Sequence, residues 1–178
     1  MNTLTVAARV ETMGENSVIS RTSRRMLRIP MARMHLQILV DGVCPPGAES
    51  DDTGCLLGLT NAAEDGVFKL LNCSCGQFAC GGYYHGFRIE HQADGTVTWL
   101  NLDRPESPAL AFQSTQAVQA VESAIAEIRV RLVELRGQRI EFVCWDDAEV
   151  FGLRYDDRFA PGLAVPRDFG ASEARQNA

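Results

Sequence analysis

The amino-acid sequence predicts an α+β protein in which one long amphipathic helix packs on a face of a largely antiparallel sheet. Two patterns indicate this class. Residues 67–102 alternate between apolar and polar side chains in three runs, as a three-stranded meander does. Residues 115–136 carry apolar side chains at helical spacing. Further strands are expected at about 35–41 and 139–145. Because the helix is one element among several strands, we expect an α+β fold.

The meander is expected to contain strands at about 67–75, 83–92 and 96–102. Asp94 and Gly95 supply the positive backbone φ that a tight hairpin turn requires between the second and third strands. In the second strand, alternate side chains share one face, which is typical of a half-buried strand. These side chains are Tyr83, His85, Phe87, Ile89 and His91. We interpret the last of them as a histidine packed within the sheet.

The helix is expected over residues 115–136, with Ser114 as its N-cap and Gly137 after its last turn. Glu127 and Arg131 stand four residues apart on its solvated side, in the order that favours an ion pair. The apolar stripe recurs at spacings of three and four residues along six turns. It consists of Val118, Val121, Ile125, Ile128, Leu132 and Leu135.

The chain divides into an N-terminal extension, one domain and a tail. Residues 1–33 are expected to form a basic extension, either partly ordered or with one short strand where residues 4–10 alternate. Residues 34–165 are expected to form a single α+β domain, since 178 residues in total suit one domain. Residues 166–178 are expected to fray as a flexible tail.

Charge and hydropathy exclude several classes of function. The net charge is −6, but residues 1–35 carry six arginines and two glutamates, whereas residues 36–178 carry eleven basic and twenty-one acidic side chains. This acidic body repels phosphate backbones, so we expect no nucleic-acid binding and a protein partner with a basic surface. No apolar run approaches the roughly 18 residues of a spanning helix, and residues 1–14 lack the apolar core of a secretory signal. We therefore expect a cytoplasmic protein that does not bind membranes.

Composition also indicates a source and a redox environment. Sixteen of the seventeen basic residues are arginine, which we interpret as GC-rich and therefore bacterial coding. In a reducing cytoplasm the six cysteines are expected as thiols or metal ligands. The sequence contains no P-loop, no dinucleotide-binding glycine motif, no His-Glu-x-x-His motif and no nucleophile elbow, so we assign no catalytic residues.

One cluster of residues has recognisable chemistry. Cys73, Cys75 and Cys80 fall within eight residues, and His85 follows five residues later. Zinc binds four sulfur or nitrogen ligands at tetrahedral angles, so the chain must reverse quickly, which the local glycines permit. The four side chains therefore predict a structural Cys₃His zinc site. Alternatives to the histidine at position 85 are His91, Cys55 and Cys44.

The same cluster admits other interpretations. In an extended strand the Cα atoms of Cys73 and Cys75 would lie about 6.6 Å apart, so a shared metal requires the strand to break there. Without a metal, the thiols would pack in a buried hairpin corner. A redox protein would form a reversible disulfide between Cys75 and either Cys73 or Cys80. A zinc enzyme would need a nearby base, for which Glu90 and Asp94 are candidates.

These residues also carry a resemblance. The run from Leu70 to Gly76, the Cys80-Gly81-Gly82 turn and Trp99 resemble a group of small, uncharacterised bacterial proteins with a Cys-x-Cys-Gly…Cys-Gly hairpin turn. The likeness covers about residues 67–102. Some of those proteins are similar to immunity or accessory proteins of bacterial conflict systems. The resemblance implies a small, cytoplasmic, bacterial α+β protein and implies no catalytic residues.

These observations favour a binding protein of the inhibitor or immunity type over an enzyme. Opposite charge speeds association, so a basic partner is expected to meet one of the acid-rich segments. Those segments are Asp146 to Glu149 and Asp51-Asp52. A zinc-dependent enzyme or a thiol redox protein that uses the cysteine cluster is the alternative. The oligomeric state is not predicted.

Overall fold

The computed structural model describes residues 1–19, 26–50, 52–135, 138–144 and 146–151. This part of the chain forms two sheets with helices packed against them. In chain order the elements are β1 (Leu4–Ile19), β2 (Met26–Val40), β3 (Thr53–Gly54), α1 (Leu56–Asn61), β4 (Gly66–Phe68), β5 (Leu71–Asn72), β6 (Phe87–His91), β7 (Thr96–Asn101), β8 (Leu110–Gln113), α2 (Ser114–Glu134), β9 (Arg139–Phe142) and α3 (Asp147–Val150). The order confirms the α+β class.

The first sheet is built on a long antiparallel hairpin. β1 pairs with β2 from Leu4, opposite Val40, to Ile19, opposite Met26. On its other edge β2 pairs with β9 in parallel and with β3 antiparallel, and β5 follows β3. The pairing with β9 brings the segment after the long helix beside the N-terminal part of the chain.

The N-terminal strands are longer than the sequence predicts. The strand expected where residues 4–10 alternate is present, and it continues to Ile19. The strand expected at 35–41 is the last part of β2, which begins at Met26 and therefore crosses residue 33. Pairing along the hairpin explains the extra length, because each strand supplies the partner that the other needs. The division into extension and domain stays a prediction, and the tail at 166–178 lies outside the described residues.

The second sheet confirms the predicted meander. Its strands follow the order β4-β6-β7-β8, and all neighbours are antiparallel. Gly95 has a φ of 82° in the turn between β6 and β7, where the backbone N–H of Gln92 donates to the Thr96 carbonyl at 2.7 Å. The sequence therefore places this hairpin correctly, and β8 adds a fourth strand.

The first predicted strand of the meander, at 67–75, is in fact two strands in different sheets. β4 pairs with β6, whereas β5 pairs with β3. Between them the chain passes closely over α1, where the Cys55 N–H donates to the Leu70 carbonyl at 2.9 Å. A Cβ on Gly58 would lie only 1.8 Å from the Lys69 carbonyl oxygen. The missing side chain at Gly58 permits this approach, which the alternation of side chains does not reveal.

The second predicted strand begins at Phe87 instead of 83, and Asp103 provides the reason. Its carboxylate accepts the backbone N–H groups of Tyr84, His85 and Gly86 at 2.8 to 3.0 Å. Because these donors converge on one side chain, they are not available for pairing with a neighbouring strand. The residues before Phe87 therefore form a loop.

The long helix is confirmed, with small differences at its start and in its stripe. α2 packs on β1 of the first sheet and β8 of the second. Gln113, and not Ser114, occupies the N-cap, and it makes no side-chain cap hydrogen bond. The helix buries Ala117, Val121, Ala124, Ile128 and Leu132. Val118 of the predicted stripe is 40% exposed, because the buried face is rotated toward the two alanines.

Two further features of the helices bear on the predictions. The expected ion pair is present, since an Arg131 nitrogen lies 3.9 Å from Glu127, and Arg131 also bonds Glu134 at 3.0 Å. Gly137 lies outside the described residues. Among the helices described, none combines the length and apolar character that crossing a bilayer would require.

Candidate functional site

Residues 73–86, which we call the cysteine loop, connect β5 to β6 across the two sheets. The loop folds back on itself through backbone hydrogen bonds. Gly76 N–H donates to the Cys73 carbonyl at 2.8 Å, and Tyr83 N–H donates to the Phe78 carbonyl at 2.9 Å. The Cα atoms of Cys73 and Cys75 lie 5.3 Å apart, closer than an extended strand allows. The strand therefore breaks at the point that a shared metal requires.

The cysteine loop brings three sulfurs together. The sulfurs of Cys73, Cys75 and Cys80 all lie within 4.8 Å of one another. Cys73 and Cys75 are joined in a disulfide, while Cys80 is an exposed free thiol. On reduction, the loop would present three thiolates at a spacing that suits a metal ion that prefers sulfur.

The histidines do not join these sulfurs. In the described part of the chain, the group of mutually close ligand atoms contains the three sulfurs and no imidazole. His85 is exposed, and its backbone N–H binds Asp103. His91 pairs instead with Asp65, where Nδ1 lies 2.9 Å from the carboxylate. Cys44 is a separate free thiol. The structure thus assembles three of the four predicted ligands.

Basic side chains lie closer to the cysteine loop than the sequence suggests. The Lys69 ammonium donates to the Tyr83 carbonyl at 2.8 Å and to the Tyr84 carbonyl. Arg33 lines a cleft together with Cys75, and it bonds Glu141 across β2 and β9 at 3.3 Å. The sequence missed both contacts because they join segments that are distant along the chain.

The acidic segment at positions 51 and 52 is partly used inside the fold. Asp52 accepts a hydrogen bond from the buried Tyr83 hydroxyl and another from the Glu49 backbone N–H, the latter at 2.6 Å. Burial, and then the adjacent carboxylate, raise the pKa of the Tyr83 hydroxyl above its ordinary value. Asp52 therefore has hydrogen-bond partners within the fold, and Asp51 lies outside the described residues.

A second group of ligating side chains, which we call the buried cluster, consists of Cys55, Cys144 and Asp147. Their ligand atoms lie within 4.8 Å of one another, and their exposures are 2%, 2% and 3%. The Asp147 carboxylate accepts the backbone N–H groups of Leu56 and Leu57, at 2.5 and 3.1 Å. Burial raises the pKa of Asp147 to about 7 against the opposing effect of these hydrogen bonds.

The buried cluster removes one residue, Asp147, from a predicted surface. We expected the acid-rich segment from Asp146 to Glu149 to form an interface. Asp147 instead lies in the core, where it satisfies the first backbone N–H groups of α1. The first N–H groups of this short helix are thus satisfied by a carboxylate 90 residues away along the chain. Sequence patterns do not show a contact between such distant residues.

A groove between α1 and α2 is the third candidate site. It has a volume of about 280 Å³, and β7 lies at its floor through Val97 and Trp99. Leu59 and Ala62 line its α1 side, while Val118, Val121 and Ile125 line its α2 side. Glu122 and His91 lie among its polar lining residues, which include no Arg or Lys.

Small side chains explain why the groove exists. Ala62 and Ala63 line it on the α1 side and Ala117 lines it on α2, and such small side chains leave space between the two elements. This space also accounts for the exposure of Val118, which the sequence assigned to the core. The signal that could have revealed the groove is the pairing of alanines on the facing segments. That pairing is visible only once the topology is known.

Comparison of this chain with protein-family models, with curated protein sequences and with solved structures finds no match. The function is therefore argued from the groove, the cysteine loop and the buried cluster.

Proposed function

We propose that this chain is a non-catalytic binding protein of the inhibitor or immunity type, and that its groove receives an apolar side chain of a basic partner protein. The groove carries this proposal, because it is a formed apolar recess with a carboxylate and no Arg or Lys side chain in its lining. Anchor residues of protein interfaces are buried in recesses of this kind.

Charge indicates that the partner is basic. Residues 36–178, which contain the groove, carry ten more acidic than basic side chains. At the groove itself, Glu122 lies in the lining, and Asp65 is bound to the lining residue His91. Hydrogen bonds from the His91 backbone and ring hold the pKa of Asp65 below its ordinary value, so this carboxylate stays ionised. A Lys or Arg beside the apolar anchor would meet these carboxylates and associate faster.

The polar groups of the groove support binding rather than catalysis. The Thr60 hydroxyl donates to the Leu56 carbonyl at 2.9 Å, and the His91 ring binds Asp65. Within the described residues, no hydrogen bond joins His91 to Thr60 or to Ser114. The nucleophile and base contact that covalent catalysis needs is therefore not formed.

The test is a site-specific photocrosslink in the native host. Val118 is replaced by benzoylphenylalanine, and Val130, 58% exposed on the same helix but outside the groove lining, is replaced in a control. We expect one adduct at position 118 that is absent at position 130 and is weakened by Glu122→Lys. Equal adducts at both positions, or none at 118, would contradict the proposal.

The cysteine loop has a supporting role in this proposal, because zinc would fix its reversal. Cys73, Cys75 and Cys80 would supply three thiolates after reduction, and His85 is the fourth ligand that the sequence proposes. The metal content of protein purified with a reductant and without chelator tests this proposal. We expect that Cys80→Ser loses a zinc ion per chain that Cys44→Ser retains, and that His85→Ala weakens its binding. Equal zinc in the two cysteine variants would contradict a site at the loop.

A second candidate function is thiol–disulfide exchange, which the disulfide between Cys73 and Cys75 favours. The Cys80 sulfur lies within 4.8 Å of both. Its thiolate would attack one disulfide sulfur, form a new S–S bond and release the other cysteine as a thiolate. Equilibration with oxidised and reduced glutathione, read by mass spectrometry, tests this reaction. Disulfide isomers that interconvert in the native chain but not in Cys80→Ser would support it, and a single fixed isomer would contradict it.

A further inference from the structure

We propose that Cys55, Cys144 and Asp147 form a metal site in the protein core, which binds a divalent cation that prefers sulfur, such as zinc. This site is distinct from the cysteine loop and does not depend on what the groove binds. Two sulfurs and one carboxylate oxygen converge there from two segments of the chain, Cys55 just before α1 and the turn from Cys144 to Asp147 after β9. Zinc accepts both ligand types, whereas calcium and magnesium take oxygen ligands only.

The spacing of the three ligand atoms fits such an ion. In a tetrahedral site with zinc–sulfur bonds of about 2.3 Å, two sulfurs lie about 3.8 Å apart. The observed separations are within 4.8 Å, so a small contraction would bring all three atoms into the coordination sphere. The three side chains supply three of the four usual ligands, and the fourth position is open to a backbone carbonyl or a water.

The buried carboxylate of the cluster is also a suitable partner for a cation. Asp147 is almost fully buried, and within the described residues it forms no ion pair with an Arg, Lys or His side chain. Burying a carboxylate without a cation is costly, and two thiols beside it add no positive charge. A bound divalent cation would contact the carboxylate directly, and because both thiols lose their protons on binding it, the net charge of the cluster would stay at −1.

Backbone donors around the cluster match the outer shell of a metal site. The Gly58 N–H points at the Cys55 sulfur at 3.4 Å, and the Leu56 and Leu57 N–H groups bind the Asp147 carboxylate. Hydrogen bonds of this kind orient ligands and stabilise their charged forms. A metal here would fasten the start of α1 to the segment that follows β9, and so link the middle of the chain to its C-terminal part.

The experiment counts cobalt ions on the reduced, full-length protein and uses sulfur-to-cobalt charge-transfer absorption to count bound thiolates. The wild type is expected to bind one more cobalt ion per chain than Cys144→Ser. This difference is expected whether or not the cysteine loop also binds an ion. Cys44→Ser is the matched control, because Cys44 belongs to neither group of ligand atoms. Asp147→Asn, which keeps the side-chain volume, is expected to weaken binding at the same site at least tenfold.

Circular dichroism of each variant shows whether it folds. If Cys144→Ser does not fold, the variant that lacks the three loop cysteines decides, because the buried cluster is then the remaining group of ligand atoms. The Cys73→Ser, Cys75→Ser, Cys80→Ser triple variant is expected to retain one ion bound by two thiolates. A folded Cys144→Ser with as many ions as the wild type, or a folded triple variant that binds no ion, would overturn the proposal.

Discussion

The cysteine loop and the buried cluster both bring cysteine sulfurs close together, but the first is largely exposed to solvent and the second lies in the core. In the loop, Cys75 and Cys80 are exposed, and the loop is held by its own turns. In the buried cluster, Cys55 and Cys144 lie in the core beside a carboxylate that completes α1. The groove between α1 and α2 is lined by neither group. The three features thus use separate residues, so substitutions should affect them one at a time.

Thiol reactivity should show the largest contrast between the two groups. In reduced, metal-free native protein, we expect Cys80 to react with a thiol reagent at least about a thousandfold faster than Cys55 and Cys144. The buried thiols react only after an opening that costs several kcal/mol. Mass spectrometry of the labelled sites over time measures the rates. Comparable rates at Cys80 and Cys144 would remove the distinction between exposed and buried sulfurs.

The carboxylate of the buried cluster should dominate stability. We expect Asp147→Ala to lower the free energy of unfolding by about 3 kcal/mol, because two backbone N–H groups in the core lose their acceptor. Urea denaturation of chelator-treated protein measures this loss without any metal contribution. Asp146→Ala, at the partly exposed neighbour, should change the free energy by less than about 0.5 kcal/mol. Equal losses of unfolding free energy at the two positions would contradict the role of Asp147 as an acceptor for buried N–H groups.

A substitution at Gly58 tests the close contact between α1 and the backbone of Lys69. Replacing a helical glycine by alanine stabilises an exposed helix by up to about 1 kcal/mol. Here the new Cβ would lie 1.8 Å from the Lys69 carbonyl oxygen, so we expect the opposite sign. Gly58→Ala should lower the free energy of unfolding by about 2 kcal/mol, as overpacking does elsewhere. Thermal unfolding measures it, and a stabilised variant would show that this close approach does not exist.

The smallest expected effect is at the solvated face of α2. Glu127→Gln removes one side of a 3.9 Å ion pair, and such exposed pairs contribute about 0.3 to 0.5 kcal/mol. The glutamine keeps an oxygen that can accept the Ala8 backbone N–H, as Glu127 does at 3.4 Å. We expect a change of that size in urea denaturation at low salt, and less at high salt because salt screens exposed charges. A loss above about 1 kcal/mol would mean that Glu127 has a structural role beyond this pair.

The sequence predicted those parts of the fold that short-range patterns determine. The turn at Asp94 and Gly95 and the helix from Ser114 to Glu134 each depend on residues within a few positions of one another. Both were placed within a residue or two. The alternation near the N-terminus also predicted a strand correctly, although it could not show how far pairing with β2 extends it.

The parts that were missed depend on contacts between distant segments. The split of residues 67–75 between two sheets follows from the passage of the chain over Gly58. The burial of Asp147 follows from its contact with Leu56, and the groove follows from alanines on facing elements. The cysteine loop was predicted only in part. Its spacing identified three clustered sulfurs, but the position of His85 depends on Asp103.

The affinity for the partner that crosslinks at position 118 tests the central claim most directly. Its dissociation constant would be compared between the wild type, Val118→Glu in the groove and Val130→Glu outside it, after confirming that the three proteins unfold at similar urea concentrations. We predict at least a tenfold loss for Val118→Glu, about 1.4 kcal/mol, and less than about a twofold change for Val130→Glu. Equal losses in the two variants, or no loss in either, would contradict binding in the groove.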